Sequence, residues 1–546
     1  MTGRCAEEEA SAYGVGGVLW YNDAMEKITT DIYTFAELRK DGYTYVDKTD
    51  RILPLVDKSR GKQFFLARPR RFGKSLCVST LKALFQGRRE LFKGLAIEPQ
   101  WDWSKTYPVV HLDMGSTHAD TVEGFWGKIG DIVDWQAAEN GVVIDRDAPA
   151  DVRFARLCRA CAEKSSAGQF VLLVDEYDKP LLGHLCSPEV EAFRAALKSF
   201  YSVVKTCEGL QRFAFVTGVS KFSKVSIFSD LNNLVDLTLS AQTATLFGYT
   251  HEEVRKCFPE RLAALGAANG MDADAAFDKV VKWYDGYLFE ENAARVINPV
   301  SFGRCLSEGK FKSYWYETGT PTFLVKMLRA RPKDISHLEL SEDELGAYNP
   351  ADPAVEPLLF QTGYLTIDRL LTLDQDRFYR LRLPNEEVRR AFSRSLARAY
   401  VENASDTAFT RAKIDCYRAL AAHDLPAFFK SLAVLFANVP YDLTDRQNEQ
   451  TWQAILVVIL NFLGLRAIPE ERTNAGRIDM SIHADAEIYV VELKLDGSAP
   501  SAISQIVRNR YHEKFLSEGK RVTLVGVNFS TKKRGVANWR SKVVSG

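Results

Sequence analysis

The chain has 546 residues, enough for three or four domains at roughly 100–200 residues each, and its 46% hydrophobic and 26% charged content is that of a globular protein. Lysine plus arginine and aspartate plus glutamate both number 71, which excludes a uniformly polybasic nucleic-acid binder and an acidic disordered chain. Nine scattered cysteines predict a reduced, cytoplasmic protein. The longest apolar run, Trp452 to Leu465, has 14 residues and contains Gln453 and Asn461, short of the about 20 that a membrane span needs.

Residues 1–27 show no periodicity and read as a disordered extension, with Met25 a second candidate for the start of translation. From 28 to 245, near-continuous apolar runs (KQFFLAR, YPVVHLDM, QFVLLVDEYD, RFAFVTGVS, LVDLTLS) alternate with helical text. That pattern predicts an α/β domain with a parallel sheet covered on both faces. The CxxC of Cys158 and Cys161 falls within one of the helices and reads as helix packing. Residues 246–345 read as a helical lid region. Residues 346–400 read as paired strands and a helix in a winged-helix-like unit, and 401–445 as a helical linker. From 446 to 546 a long apolar helix is followed by strands RIDMSIHA and IYVVELKLD, a helix, and strand RVTLVGVNFS, a second α/β domain.

Two motifs in the first domain carry chemistry. FFLARPRRFGKSLCVSTL sets Arg70, Arg71, Phe72, Gly73, Lys74 and Ser75 between an apolar strand and a helix. Backbone amides at such a turn cradle phosphate, a lysine reaches the β and γ phosphates, and a serine hydroxyl binds Mg²⁺. The generic G-x4-G-K-[ST] pattern asks for glycine at position 68, where this chain has Arg68. The second motif is the strand end Asp175-Glu176. In P-loop ATPases of the additional-strand class the aspartate supports Mg²⁺ and the glutamate polarises the attacking water. Thr217, at the end of a third strand, is the candidate sensor of the γ-phosphate, and Asp178 reads as a turn residue.

A third constellation lies near the C-terminus. Asp479 precedes Glu492-x-Lys494 by thirteen residues. Two strands joined by a short turn bring the carboxylates together, and alternation sets Glu492 and Lys494 on one face. Asp479 and Glu492 with a backbone carbonyl suit Mg²⁺, and the lysine suits orientation of an attacking water. Glu449 on the preceding helix and Gln505 on the following one complete the candidate catalytic set.

The strings RPRRFGKSLCVSTLKALFQG, VDEYDKP, TGVSKFSKVSIFSDLNNL, KWYDGY, YWYETGTPTFL, LLFQTGYLTI and GRID…VVELKLD…QI, in that order, resemble the bacterial AAA-ATPase-like proteins that carry a C-terminal PD-(D/E)XK-type nuclease domain. The resemblance covers about residues 28–545. It implies an additional-strand P-loop ATPase joined to a restriction-endonuclease-like fold. By the same resemblance Lys74 and Ser75 bind the phosphates and Mg²⁺, and Asp175 and Glu176 form the second ATPase motif. Asp479, Glu492 and Lys494 form the nuclease core, with Glu449 and Gln505 as the helix carboxylate and glutamine. Ile478 stands where the family name has proline.

The expected activity is an ATP- and Mg²⁺-dependent nuclease acting on DNA in preference to RNA, with no membrane partner and with room for nucleotide-dependent homo-oligomerisation. The alternatives are a nucleotide-switched binding protein without nuclease turnover and a signalling ATPase whose helical middle recruits partners. The neutral total charge conceals a polarity. Residues 506–546 hold ten Lys/Arg and two acidic residues, and residues 1–505 hold 61 and 69, so a basic surface follows the carboxylate–lysine constellation, where a phosphate backbone would dock.

Overall fold

A computed structural model of the chain describes residues 27–222, 233–315, 322–330, 335, 338–346, 348–351, 353–400, 406–437, 439, 449–473, 476–484, 486–533 and 535–545. The expectations for residues 1–26 and for most of the SKFSKVSIFSDLNNL string lie outside the described residues.

The apolar runs of the first domain become β1 (Gln63–Ala67), β2 (Val109–Asp113), β3 (Phe170–Asp175), β4 (Gln211–Gly218) and β5 (Val235–Asp236). They form one parallel sheet in the order β2-β3-β4-β1-β5. The strand before the glycine-lysine-serine turn is thus separated from the Asp175 strand by β4, the additional strand. Residues of β1, β3 and β4 are buried throughout, which is why they carry no polar alternation. The last strand is short: LVDLTLS contributes only Val235 and Asp236, which pair with Phe64 and Phe65. Cys158 and Cys161 are buried in the Ala150–Lys164 helix.

Helices His251–Cys257, Pro259–Ala268, Ala273–Tyr284 and Pro299–Glu308 follow and share a separate apolar core. Next come helix Thr322–Ala330, β6 (Leu338–Ser341), helices Glu342–Gly346 and Val355–Gln361, and the hairpin β7 (Thr366–Leu373) and β8 (Asp376–Arg382). The three strands form an antiparallel sheet in the order β6-β8-β7. Its first strand lies upstream of residue 346, inside the segment that the sequence assigns to the helical lid, because four residues in charged surroundings give too little alternation to read. Pro357 to Gln361, in the helix before the hairpin, are buried and face the protein.

Helix Glu386–Tyr400 and the pair Asp406–Ala421 and Leu425–Phe436 lead to the last domain. There helix Glu449–Phe462 is followed by β9 (Arg466–Thr473), β10 (Gly476–His483), β11 (Glu487–Leu495), helix Ala499–Arg508, β12 (Arg521–Ser530) and β13 (Gly535–Ser545). The sheet order is β13-β12-β11-β10-β9, antiparallel except for β11 and β12. The parallel pair needs a crossover, which helix Ala499–Arg508 provides. Tyr489, Val491 and Leu493 join the core beneath helix Glu449–Phe462, whereas Ile488 and Val490 join Ile506, Tyr511 and Phe515 on the other face. No helix among the described residues is long and apolar enough to cross a membrane.

Candidate functional site

The first site is the turn between β1 and helix Lys74–Phe85. Gly73 caps the helix in the left-handed region (φ 93°), a conformation that glycine adopts without a Cβ penalty, and Arg71 is also left-handed (φ 68°). Lys74 is buried, and its ammonium donates to the carbonyls of Arg68 and Pro69 at 2.9 Å each. Burial pushes Lys74 below its ordinary pKa, while Asp175, Asp178 and Glu176 pull it up. The Asp175 carboxyl lies above the ordinary range because it is buried, although the Ser75 hydroxyl bond and Lys74 oppose that shift. The Ser75 hydroxyl thus meets the Asp175 carboxyl. Glu176, half-buried with φ 49°, faces Lys179 at 3.9 Å.

A cleft of about 430 Å³ opens from this turn, lined by Arg70 to Cys77, Glu176 and Lys179 at one end. Ile32, Tyr33, Tyr45, Leu246, Phe247, Tyr249 and Pro299 line the rest. That apolar and aromatic half, drawn from three distant segments, is not readable from sequence. Its volume falls within the range of small-molecule sites.

Arg68 is fully buried rather than turned to the cleft. Its guanidinium donates to the carbonyls of Ala67 (2.9 Å), Thr238 (2.6 Å) and Thr243 (3.1 Å) and stacks 4.2 Å from the Phe289 ring. Burial pushes its pKa down to about 9, opposed by Asp236. Phe72 lines the cleft, and its ring packs edge-on against Tyr287 at 4.7 Å and Phe289 at 5.4 Å. Thr217 is buried in the sheet and its hydroxyl donates to Leu66 O at 2.7 Å, so it is spent within the sheet and does not line the cleft. Asp178 accepts from the Ser220 amide at 2.7 Å and its hydroxyl at 2.6 Å, holding the turn after β4.

The second site forms where β11 outruns β10. Their ladder ends at Met480 opposite Val491, whereas β11 stays paired with β12 as far as Leu495. The amides of Leu493 and Leu495 are left without strand partners, and carboxylates take them. Asp479 Oδ2 accepts from Leu493 N at 2.7 Å and Glu449 Oε2 from Leu495 N at 3.2 Å. Lys494 Nζ lies 3.4 Å from Glu492 Oε1. Asp479, Glu492, Lys494 and Glu449 are thus gathered around the end of β11.

Gln505 is half-buried on helix Ala499–Arg508, and no hydrogen bond from its side chain to these groups is present among the described residues. Gln453 takes a comparable place: its Nε2 donates to Asp479 O at 2.6 Å. It lies one helical turn after Glu449, a spacing that puts both on one face, and that spacing is the signal of it in the sequence.

The electrostatics test whether a divalent cation fits. Burial raises Asp479 to about 6, and nearby Glu449 adds to the shift. Burial and Asp479 raise Glu492 to about 7. The Asp479 backbone N–H and Lys494 favour the charged form of Glu492, but its Oε2 is buried and has no hydrogen-bond partner within normal distance among the described residues, a costly arrangement for a carboxylate unless a cation or further donor meets it. Among the described residues no three His, Cys, Asp or Glu side chains converge as a complete shell. Two carboxylates with water suit Mg²⁺, which retains several waters when bound. The residues present fit that ion.

Residues 29–228 match the family described as a predicted AAA-ATPase, and residues 447–539 match the PD-(D/E)XK nuclease superfamily. The chain is 35% identical over 529 residues to an "uncharacterized protein in vnfD 5'region" of Azotobacter chroococcum mcd 1, covering 94% of this chain and 99% of that one. No solved structure matches. With the additional-strand sheet and the carboxylate–lysine strand end on one polypeptide, the chain belongs to the family that joins an AAA-ATPase-like domain to a C-terminal domain of the PD-(D/E)XK nuclease superfamily.

Proposed function

We propose that the protein binds and hydrolyses ATP and that its nucleotide state governs a Mg²⁺-dependent nuclease which cleaves phosphodiester bonds in DNA. The observation that carries the reading is the buried Glu492 Oε2, without a normal hydrogen bond among the described residues, beside Asp479 and Lys494, in a chain that also brings Ser75 against Asp175 below a cleft. On this reading Lys74, now held by the Arg68 and Pro69 carbonyls, would bind the β and γ phosphates, and the turn amides would donate to the phosphate oxygens. Ser75 and Asp175 would hold the ATP-associated Mg²⁺. Glu176 orients the water that attacks the γ-phosphate and takes its proton.

At the C-terminal site Asp479 and Glu492 would hold Mg²⁺, which polarises the scissile phosphate and lowers the pKa of bound water. Lys494 orients the attacking water and balances charge that develops on the phosphate. Glu449 and Gln453 position Leu495 and Asp479 through their hydrogen bonds.

The test is cleavage of single- and double-stranded DNA and RNA by the full chain, with and without ATP and Mg²⁺. Wild type is expected to cut DNA. Glu492→Ala is expected to lose at least roughly a hundredfold in cleavage while it keeps ATP hydrolysis, and Lys74→Ala to lose ATP binding. Cleavage that persists in Glu492→Ala refutes the site, and retained DNA binding without cleavage of any substrate makes the domain a binding platform.

A further inference from the structure

Tyr287 of KWYDGY, Trp315 of YWYE, and Gly363 and Tyr364 of LLFQTGYL have no part in either site, yet they converge on the back of the Arg68–Gly73 turn. Phe72 packs on Tyr287 and Phe289. Gly363 is left-handed (φ 88°) and abuts Pro69: a Cβ there would meet the proline Cβ at 2.7 Å and the Trp315 ring at 3.5 Å. Trp315 stacks edge-on against Tyr364 at 4.8 Å, and Tyr364 meets Phe392 at 4.6 Å.

Phe392 belongs to helix Glu386–Tyr400, whose first turn is tied in two directions. Glu387 is buried, and its Oε1 accepts from the amides of Tyr314 at 2.6 Å and Trp315 at 2.7 Å. The Arg71 guanidinium in the turn favours its charged form. Arg389, two residues on, donates to Asn461 Oδ1 at 2.8 Å and Leu465 O at 3.5 Å. Asn461 closes helix Glu449–Phe462, against which helix Glu386–Tyr400 packs. That nuclease-domain helix begins with Glu449 and carries Gln453, the two groups that hold Leu495 N and Asp479 O.

We infer that helix Glu386–Tyr400 is the positioning element between the two sites: the turn that receives phosphate bears on it through Pro69, Trp315, Tyr364 and Phe392, and Arg389 carries its position to the helix that sets Glu449 and Gln453. The contacts form a line of packed and hydrogen-bonded groups, with Gly363 between Pro69 and Trp315, the kind of route along which coupling travels. A turn that closes on a triphosphate shifts Pro69 and Phe72, and the close approach at Gly363 leaves no slack to absorb the shift. The inference rests on the reading that the cleft binds ATP and that the end of β11 is a nuclease site.

Its test is hydrogen exchange on the full chain, with and without a non-hydrolysable ATP analogue, read at peptides over 449–462 and 487–495. Analogue binding is measured separately by fluorescence titration. In wild type the bound analogue is expected to change exchange over 449–462 by at least roughly fivefold, the lower end of ordinary allosteric coupling. Arg389→Ala is expected to bind the analogue unchanged and to lose the response at 449–462. Asn461→Ala, which removes the other half of the same bond, is expected to do the same and replaces Arg389→Ala if that variant fails to fold. Exchange over 449–462 that ignores bound analogue in wild type, or that still responds in both variants, overturns the inference. A wild-type chain that binds no analogue removes the functional reading and the coupling with it, an outcome that the titration distinguishes.

Discussion

Two buried carboxylates with similarly raised pKa values do different things here. Glu492 and Glu387 are each pushed up to about 7 by burial. Glu387 is met by two backbone amides, whereas Glu492 has one oxygen against Lys494 and the other without a normal hydrogen bond among the described residues. The first is a satisfied structural acceptor, and the second is poised for a ligand. Glu387 allows a clean test of the electrostatics away from Asp479 and Glu492. A carboxyl raised in the folded state binds more protons there than in the unfolded chain between about pH 4.5 and about pH 7, so its contribution to stability falls as pH rises through that window. Glu387→Gln keeps an oxygen for both amides and removes the titration. The variant is expected to gain about 2 kcal/mol over wild type on going from about pH 5 to about pH 8, as seen in urea melts at the two pH values. A difference independent of pH would show that Glu387 is already ionised without penalty.

At the scale of elements, the turn Arg68–Gly73 departs from the generic phosphate-binding pattern for a structural reason. Arg68 replaces a flexible glycine with a buried guanidinium that ties β1 to the Thr238 and Thr243 carbonyls and packs on Phe289. Restoring the generic pattern with Arg68→Gly would leave those carbonyls short of a donor and open a cavity under Phe289. A loss of about 3 kcal/mol is expected in denaturant unfolding, with weaker, not stronger, ATP binding. A variant within about 0.5 kcal/mol of wild type would mean the arginine is dispensable.

The same scale explains what can be read from the sequence. Fully buried parallel strands and the Glu492-x-Lys494 strand end announce themselves, because apolar runs and charged ends contrast sharply. Strands β9 and β13 do not. β9 carries Pro469 and consecutive charges, which an edge strand tolerates, and Glu470 breaks its regularity with φ 53°. β13 looks like a basic tail because its residues from Arg540 to Val544 are exposed and Trp539, stacked 4.7 Å from Phe429, is the one large ring that anchors it. The cleft's aromatic half stays hidden because it depends on contacts between distant segments.

At the scale of the whole molecule, the balanced charge resolves into a basic edge on the C-terminal sheet. The register sets Arg540 opposite Gly526, and Gly526 opposite Glu492, so Arg540 lies on the same rung as Glu492, about 10 Å away across two strand spacings. Lys542 is two residues further along the edge strand on the same face, and both side chains are exposed. Helix Ala499–Arg508 covers Gly526 between Arg540 and Glu492, so a phosphate backbone held along this edge would reach Glu492 only around that helix. Removing one cation that neutralises a phosphate should lower the slope of log affinity against log salt by about 0.9 on duplex DNA. Arg540→Ala with Lys542→Ala is therefore expected to weaken DNA binding of the full chain uniformly across sequences and to reduce that slope by about 2. The measurement is fluorescence anisotropy in EDTA, which prevents cleavage, over a series of KCl concentrations. An unchanged slope would move the DNA track away from β13 and leave the basic edge as a solvated surface.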